Sequence, residues 1–268
     1  MITTLSSLWR RIEKFVLPIF FGGQSPFGRT PSGKPYNEPV VARSYNDFYS
    51  QPVYEYENQV VRRVLEPLLE SAAVLDLGAG TGLVLQLTNP AFYYAADSSA
   101  EMLQAILDNH LDSMSRTQRE NIFTIKADLQ DPFDLRYLQE QCQYLGDIDV
   151  ITALWAAHHF HEQETYDAMF QIVARSGTVF FHGNMPRRKY RRCPPWLKHD
   201  YDKTFNPRTM KAQMKAAGFT DITVVGFNAV PDWLIRFIPS KWAAEIIWLT
   251  RLIPARYHYN AAVIGRKP

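Results

Sequence analysis

The stretch 74–82, which reads Val-Leu-Asp-Leu-Gly-Ala-Gly-Thr-Gly, constrains the fold of this chain more than any other part of it. Small apolar residues that end at Asp76 predict the tip of a buried strand. Glycines at alternate positions then predict a turn whose backbone can lie against a ligand. Compared with the dinucleotide fingerprint Gly-x-Gly-x-x-Gly, the last glycine comes one residue earlier. Because the glycines follow the acidic Asp76, this spacing favours a ligand that carries an amine. The alternative is a glycine-rich turn that binds no ligand.

Acidic residues also end the next predicted strands. The segments 92–97 and 122–126 read as strands followed closely by Asp97 and Asp128, and a fourth strand over 149–152 runs on toward a His-His pair. In a doubly wound sheet, ligands bind in the crevice beyond the carboxyl ends of the strands. A carboxylate there can accept hydrogen bonds from the vicinal hydroxyls of a ribose. The order and spacing of these acids therefore predict a single binding edge.

These residues resemble the class I S-adenosylmethionine-dependent methyltransferases, and in particular the small-molecule branch that includes the ubiquinone-type and sterol-type enzymes. The resemblance covers about residues 45–183, roughly half of the chain. It rests on the glycine loop, on the Asp-Ser-Ser-Ala-Glu-Met-Leu segment at 97–103 and on the fourth-strand segment at 149–159. It implies an α/β fold with a doubly wound, seven-stranded, Rossmann-like sheet whose last strand is antiparallel. It also implies S-adenosylmethionine as the cofactor.

The same resemblance implies a role for individual residues. The loop that begins at Asp76 would hold the methionine end of the cofactor, and Asp97 would bind the ribose. Asp128 and the backbone N–H of Leu129 would read the adenine edge, with Met102 stacked nearby. The full set of implied cofactor-binding residues is Asp76, Gly78, Ala79, Gly80, Gly82, Asp97, Ser98, Met102, Asp128, Leu129, Ala153 and Tyr45.

Histidines follow the predicted fourth and fifth strands, at the edge where a methyl acceptor would bind. Methyl transfer needs a base only where the acceptor must lose a proton, and histidine titrates near neutrality. His182 is the first candidate for a catalytic base, because alternation with Phe180 points it toward the pocket. His158 is the second candidate. For the neighbouring His159 we expect a packing and hydrogen-bonding role.

The length of 268 residues suffices for one enzyme domain with a three-layer core, and 46% apolar residues are ordinary for a globular protein. We assign residues 1–44 to an N-terminal helical appendage and residues 45–268 to the methyltransferase domain. Within that domain we expect a basic insertion at 184–205 and a helical lid at 228–256. Two cysteines without metal-ligand spacing, and no apolar run that could span a bilayer or act as a signal peptide, predict a cytoplasmic protein.

Basic residues and tryptophans cluster outside the cofactor-binding half. Residues 1–45 contain six Lys/Arg against two Asp/Glu, residues 187–203 seven against two, and residues 228–268 six against two. One interpretation is a lid over an apolar acceptor pocket, in which Lys and Arg keep their charged ends in water. The other is peripheral contact of these segments with an anionic membrane. The two interpretations are compatible.

The sequence therefore predicts methyl transfer by in-line displacement to a small, apolar or aromatic metabolite. A membrane quinone or lipid is the alternative acceptor. A catalytically idle cofactor-binding partner protein is the alternative of another class, and the three intact acids argue against it. One short basic cluster is weak support for nucleic-acid binding, and the histidines at 158–161 lack a convincing metal-ligand pattern. Neither a nucleic-acid partner nor a metal is expected.

Overall fold

The computed structural model of the protein describes residues 52–110, 114–160, 162–185, 205–230, 232–235 and 237–268. The predicted appendage at 1–44, the predicted cofactor contact Tyr45 and most of the predicted basic insertion at 184–205 lie outside the described residues.

Seven strands of the described chain form one sheet, in the order β3-β2-β1-β4-β5-β7-β6. β7 runs antiparallel to both of its neighbours, while the other paired strands are parallel. The predicted seven-stranded, doubly wound sheet is confirmed. The strand order reverses between β1 and β4, where the ligand crevice opens in sheets of this kind. The strands are β1 Ala73–Leu77, β2 Phe92–Asp97, β3 Ile122–Lys126, β4 Ile148–Leu154, β5 Val173–Asn184, β6 Thr220–Asn228 and β7 Asn260–Arg266.

Helices follow most of the strands. They are α1 Pro52–Leu69, α2 Leu83–Leu87, α3 Ala100–His110, α4 Arg116–Glu120, α5 Pro132–Leu145, α6 Gln163–Ile172, α7 Pro207–Ala217, α8 Asp232–Ile235 and α9 Ser240–Leu249. Short 3₁₀ turns lie at Ala157–His159, Thr250–Leu252 and Ala255–Tyr257.

Apolar residues alternate along the strands and form a core on each face of the sheet. On one face, Leu75 and Phe181 pack with residues of α5, α6 and α7. On the other face, Val74 and Phe180 pack with residues of α1, α3 and α9. The sheet is therefore the middle of three layers. Both of its faces are covered, so a site can form at the ends of the strands.

Side-chain caps fix where two of the helices begin. The Ser-Ser-Ala-Glu run at 98–101 is a capping signal for the helix that follows it, and the Ser99 hydroxyl accepts a hydrogen bond from the Met102 N–H at 3.1 Å. Asn206 caps α7 by accepting from the Arg208 N–H, and Gly218 ends that helix with a φ of 108°. These ends agree with the sequence, in which Asn206-Pro207 predicts the start and Gly218 the end of a helix over 208–217.

Within the predicted lid at 228–256, the sequence over 233–253 predicts two amphipathic helices separated by Pro239. This segment folds as the short α8, then α9 and two 3₁₀ turns. α9 packs on α1, where Arg63 forms an ion pair with Glu245 and its Cζ lies 5.5 Å from the centre of the Trp248 ring. Among the residues described, no helix has the length and apolar character needed to cross a bilayer.

Candidate functional site

The glycine loop after β1 has the backbone shape that its sequence predicts. Gly78, Gly80 and Gly82 all have positive φ, at 65°, 54° and 84°. The Gly78 N–H donates to the Ala96 carbonyl of β2 at 2.8 Å. A Cβ on Gly78 would lie 2.5 Å from the Ala156 Cβ, so no larger residue fits there without movement. The loop is a close-fitting backbone turn at the edge of the sheet.

Asp97, at the end of β2, ties this loop to the helix that follows it. Its Oδ2 accepts from the Gly80 N–H and its Oδ1 from the Ser99 N–H, each at 2.9 Å. Burial raises the pKa of the Asp97 carboxyl, and these backbone N–H donors oppose the rise. One carboxylate therefore holds both the tip of the glycine loop and the start of α3.

Asp76 lies inside the molecule rather than on its surface. The Tyr93 hydroxyl donates to Asp76 Oδ2 at 2.7 Å, and the Thr152 hydroxyl donates to Oδ1 at 2.8 Å. The three residues belong to the adjacent strands β2, β1 and β4. Burial raises the pKa of Asp76 to about 7, although both hydrogen bonds favour the charged form. A larger share of this carboxyl is therefore protonated at neutral pH than of an exposed aspartate.

The predicted adenine contacts lie at the same edge, one strand further out. The half-buried Asp128 accepts from the Gln130 N–H at 3.2 Å, while its own N–H donates to Asp134 at 2.8 Å. The Ala127 N–H donates to the Asp97 carbonyl at 3.0 Å, which links the ends of β3 and β2. Met102 is buried, and Ser98 and Leu129 are half-buried. The structure therefore brings the predicted ribose and adenine residues together.

A cavity of about 430 Å³ opens between the glycine loop and α1. α1 lines it with Glu55, Asn58, Gln59 and Arg62. The Asn58 Oδ1 is buried and has no hydrogen-bond partner within the described part of the chain. A buried acceptor in this state is costly unless a ligand supplies a donor. None of these four residues was predicted for the site, because no helix was predicted over 52–69.

Trp155, directly after β4, is a second residue that the sequence analysis did not assign to the site. Its φ of 61° is in the left-handed region, which is unfavourable for a bulky side chain and recurs at functional sites. Its ring meets Tyr54 edge to face, with centroids 5.9 Å apart, and lines the cavity. The Trp155 N–H donates to the His182 carbonyl at 3.0 Å, which fixes this turn against β5.

The predicted catalytic histidines do not line this cavity. His182 lies on the same face of β5 as Phe180, as alternation predicts, but it is fully buried. Its ring centroid is 4.4 Å from that of Trp155 and 5.3 Å from that of Phe227. His158 is half-buried in the turn after β4 and contacts the exposed His159, with ring centroids 4.0 Å apart.

Two further residues complete the neighbourhood of the glycine loop. The side chain of Ala153, predicted to contact the cofactor, is fully buried in the core on the α5 face, so only its backbone can contribute at the edge. His110, the last residue of α3, lies beneath the loop, with its Nε2 3.1 Å from the Thr81 carbonyl oxygen. Nothing in the sequence near His110 indicates this contact, because it joins positions far apart in the chain.

A family model described as a methyltransferase domain matches residues 52–224. The chain belongs to this methyltransferase family. No curated protein sequence matches it.

Solved methyltransferase structures share the fold. One chain comes from the complex between the Haloferax volcanii Trm112 methyltransferase activator and a putative methyltransferase, with a TM-score of 0.56 and 15% identity over 86% of this chain and 97% of that one. Another is a possible histamine N-methyltransferase from Thermotoga maritima, with a TM-score of 0.54 and 12% identity. The match covers 86% of this chain and 97% of that one. A third is the Haemonchus contortus phosphoethanolamine N-methyltransferase 2 bound to S-adenosylhomocysteine, with a TM-score of 0.53 and 12% identity. The match covers 86% of this chain and 57% of that one.

This methyltransferase uses S-adenosylmethionine, and the described edge suits that cofactor. The three glycines with positive φ leave the turn without side chains at these positions, so a ligand can approach the backbone closely. The buried Asn58 Oδ1 can accept from an ammonium group, and Asp97 can accept from hydroxyls. The prediction of a class I, S-adenosylmethionine-dependent methyltransferase is therefore confirmed at the level of family, fold and cofactor.

Replacing Gly78 by alanine is expected to destabilise the protein by roughly 2–4 kcal/mol, from the positive φ and from overlap with Ala156. The double variant Gly78→Ala/Ala156→Gly removes the overlap but keeps the strained backbone. Denaturant unfolding should therefore show that the second substitution recovers part of the loss. Equal stability of the single and double variants would refute the close contact.

The raised pKa of Asp76 gives the stability of the protein a pH dependence. Between pH 4 and 7 the folded state retains a proton that the unfolded chain, with a pKa near 3.8, has released. The free energy of unfolding therefore falls as pH rises through this range, by up to about 1.4 kcal/mol per pH unit from this group. Asp76→Asn should flatten the dependence, as measured by denaturant unfolding at several pH values. An unchanged slope would contradict the assignment.

Proposed function

We propose that this methyltransferase transfers a methyl group by in-line displacement to a small acceptor that is apolar or aromatic. The observation that carries the proposal is the wall of the cavity beside the glycine loop. Leu83, Leu87, Leu154 and Trp155 line that wall with apolar side chains. Burial of an apolar acceptor against them would supply binding free energy without polar contacts.

In this proposal the cofactor lies along the carboxyl ends of β1, β2 and β3. Asp97 binds the ribose, since each carboxylate oxygen has a second lone pair available while it holds a backbone N–H. The glycine loop and the Asn58 Oδ1 bind the methionine end, and the Arg62 guanidinium attracts its carboxylate. Asp128 contacts the adenine.

When bound, S-adenosylmethionine supplies a methyl group that its sulfonium has already activated. The chain contributes alignment of the acceptor and exclusion of water. Trp155 suits both tasks, because its ring is buried and is contacted edge to face by Tyr54 and by His182. A side chain fixed in this way offers the acceptor a rigid surface to pack against.

An acceptor that must lose a proton also needs a base, and His182 remains our first candidate, ahead of His158. The His182 ring contacts the Trp155 ring that lines the cavity. The imidazole itself does not line the cavity, so it would take the proton through a bridging water or after a movement of Trp155. The role of either histidine depends on the acceptor atom, because an aromatic nitrogen or an unprotonated amine needs no base.

A membrane quinone or lipid is the second candidate acceptor, in line with the ubiquinone-type and sterol-type branch that the sequence resembles. The observation that favours it is the exposed apolar surface of α9 and the turn after it, which includes Trp242 and Leu252. This candidate keeps the cofactor site unchanged and differs only in where the acceptor comes from.

The acceptor class is tested by incubating the full chain with methyl-labelled S-adenosylmethionine and a metabolite extract that has been split into aqueous and organic pools. We expect labelled product from the organic pool, heavier than its precursor by the labelled methyl group less the hydrogen that it replaces. Label that appears only in aqueous products would overturn the apolar-acceptor proposal. Asp97→Ala serves as the control for labelling that does not depend on the site.

Asp97→Ala is expected to weaken S-adenosylhomocysteine binding by roughly 10- to 100-fold, because it removes charge-assisted hydrogen bonds worth about 1.5–3 kcal/mol. Calorimetric titration measures the change, and NAD should not compete. Asp108→Ala is the matched control, since Asp108 is an exposed carboxylate on α3 that bonds Gln104. Equal affinities for the wild type and Asp97→Ala would contradict the assignment.

If His182 is the base, His182→Asn should lower kcat by about 10²–10⁴ and leave cofactor affinity unchanged. The pH–rate profile should also lose its acidic limb, a change that loss of packing alone would not cause. His159→Ala is the control, since that side chain is exposed. A His182→Asn enzyme that keeps more than about half of the wild-type kcat would leave alignment as the only contribution of the chain.

A further inference from the structure

α9 has one buried face and one exposed apolar face. Ala243 and Ile247 are buried against the rest of the protein. Trp242, Ile246 and Leu249 follow one another at intervals of four and three residues, which places them on one side of the helix, and all three are exposed. A helix on the surface of a globular protein normally carries polar residues on that side.

Exposed apolar side chains continue on both sides of the helix in the chain. Phe237, before α9, is 79% exposed, and Leu252, after it, is 88% exposed. Of the thirteen large apolar side chains exposed in the described residues, eight fall between positions 234 and 257. We define the apolar ridge as Phe237, Trp242, Ile246, Leu249, Leu252 and Ile253. A concentration of this kind marks a surface that contacts something other than water.

The charge of the same segment is positive. Residues 234–257 contain four Lys/Arg and a single acidic residue, Glu245. That carboxylate is already paired with Arg63 of α1. Lys241 lies 5.9 Å from the ring of Trp242, and the Arg256 Cζ lies 4.8 Å from the centre of the Tyr257 ring. Cations therefore lie next to the exposed aromatic side chains.

We propose that the apolar ridge docks on the surface of an anionic lipid bilayer. Apolar and aromatic side chains that enter the interfacial region, with Lys and Arg beside them at the level of anionic headgroups, characterise surface-bound helices. Pairing of two copies through the ridge would instead bring like charges together. The proposal holds whatever the acceptor is, because it concerns a surface separate from the cofactor residues.

Docking through this surface would hold the cofactor cavity at a fixed position relative to the membrane. α9 is attached to α1 by the Arg63–Glu245 ion pair and by the contact between Arg63 and Trp248. Residues of the same α1, Asn58 and Arg62 among them, line the cavity. A bilayer bound to α9 is therefore one helix away from the site.

Co-sedimentation of the full chain with vesicles tests the proposal. Vesicles of phosphatidylcholine with about 30 mol% phosphatidylserine should retain the protein, and pure phosphatidylcholine should retain several-fold less. Raising the salt concentration from about 0.1 to 0.5 M should weaken binding to the anionic vesicles. The double variant Lys241→Glu/Arg256→Glu should also bind the anionic vesicles more weakly than the wild type.

The decisive variant is Leu249→Ser/Leu252→Ser, which should reduce the bound fraction roughly tenfold. Phe133→Ser/Tyr144→Ser is the matched control, because it removes two equally exposed aromatic side chains from α5 and should bind like the wild type. Thermal melts should show that both variants remain folded.

Three outcomes would overturn the proposal. The wild type could fail to bind anionic vesicles, or the ridge variant could bind them as well as the control variant does. A dimer that depends on Leu249 and Leu252 in light scattering, without vesicle binding, would identify a second copy of the chain as the occupant. Each outcome concerns lipid or self-association and leaves the test of methyl transfer unaffected.

Discussion

The carboxylate of Asp97 is the interaction on which the arrangement of the site depends. It accepts one N–H from the glycine loop and one from the start of α3, and so it joins the ends of β1 and β2. A turn with three glycines at positive φ has a large conformational freedom to lose, and this anchor selects a single shape. The edge is therefore organised before any ligand arrives, which reduces the entropic cost of binding.

The two faces of the sheet have different roles in supporting the site. The core on the α5 face keeps the strands in place and takes up side chains such as that of Ala153. On the other face, α1 lines the cavity with one side and packs against α9 with another. α1 therefore lies between the cofactor site and the apolar ridge.

Much of the fold and part of the site could be predicted from the sequence, because strand periodicity, capping residues and glycine spacing are local signals. β2 and β3, the cap at Ser99 and the turn at Gly218 are examples. Two features of the site could not be predicted from the sequence: the φ of Trp155 and the burial of His182 against the Trp155 ring. Both depend on how β4, β5 and β6 pack together. The raised pKa of Asp76 likewise follows from burial between neighbouring strands.

Hydrogen–deuterium exchange with and without S-adenosylhomocysteine tests most directly the claim that the cofactor binds at this edge. We expect slower exchange in peptides that cover 78–82 and 97–103, and in the first turns of α1, because their amides line or support the site. Peptides from α9 should exchange at the same rate in both conditions. Saturating ligand that leaves the glycine loop and the start of α3 unprotected, or protects only α9, would contradict it.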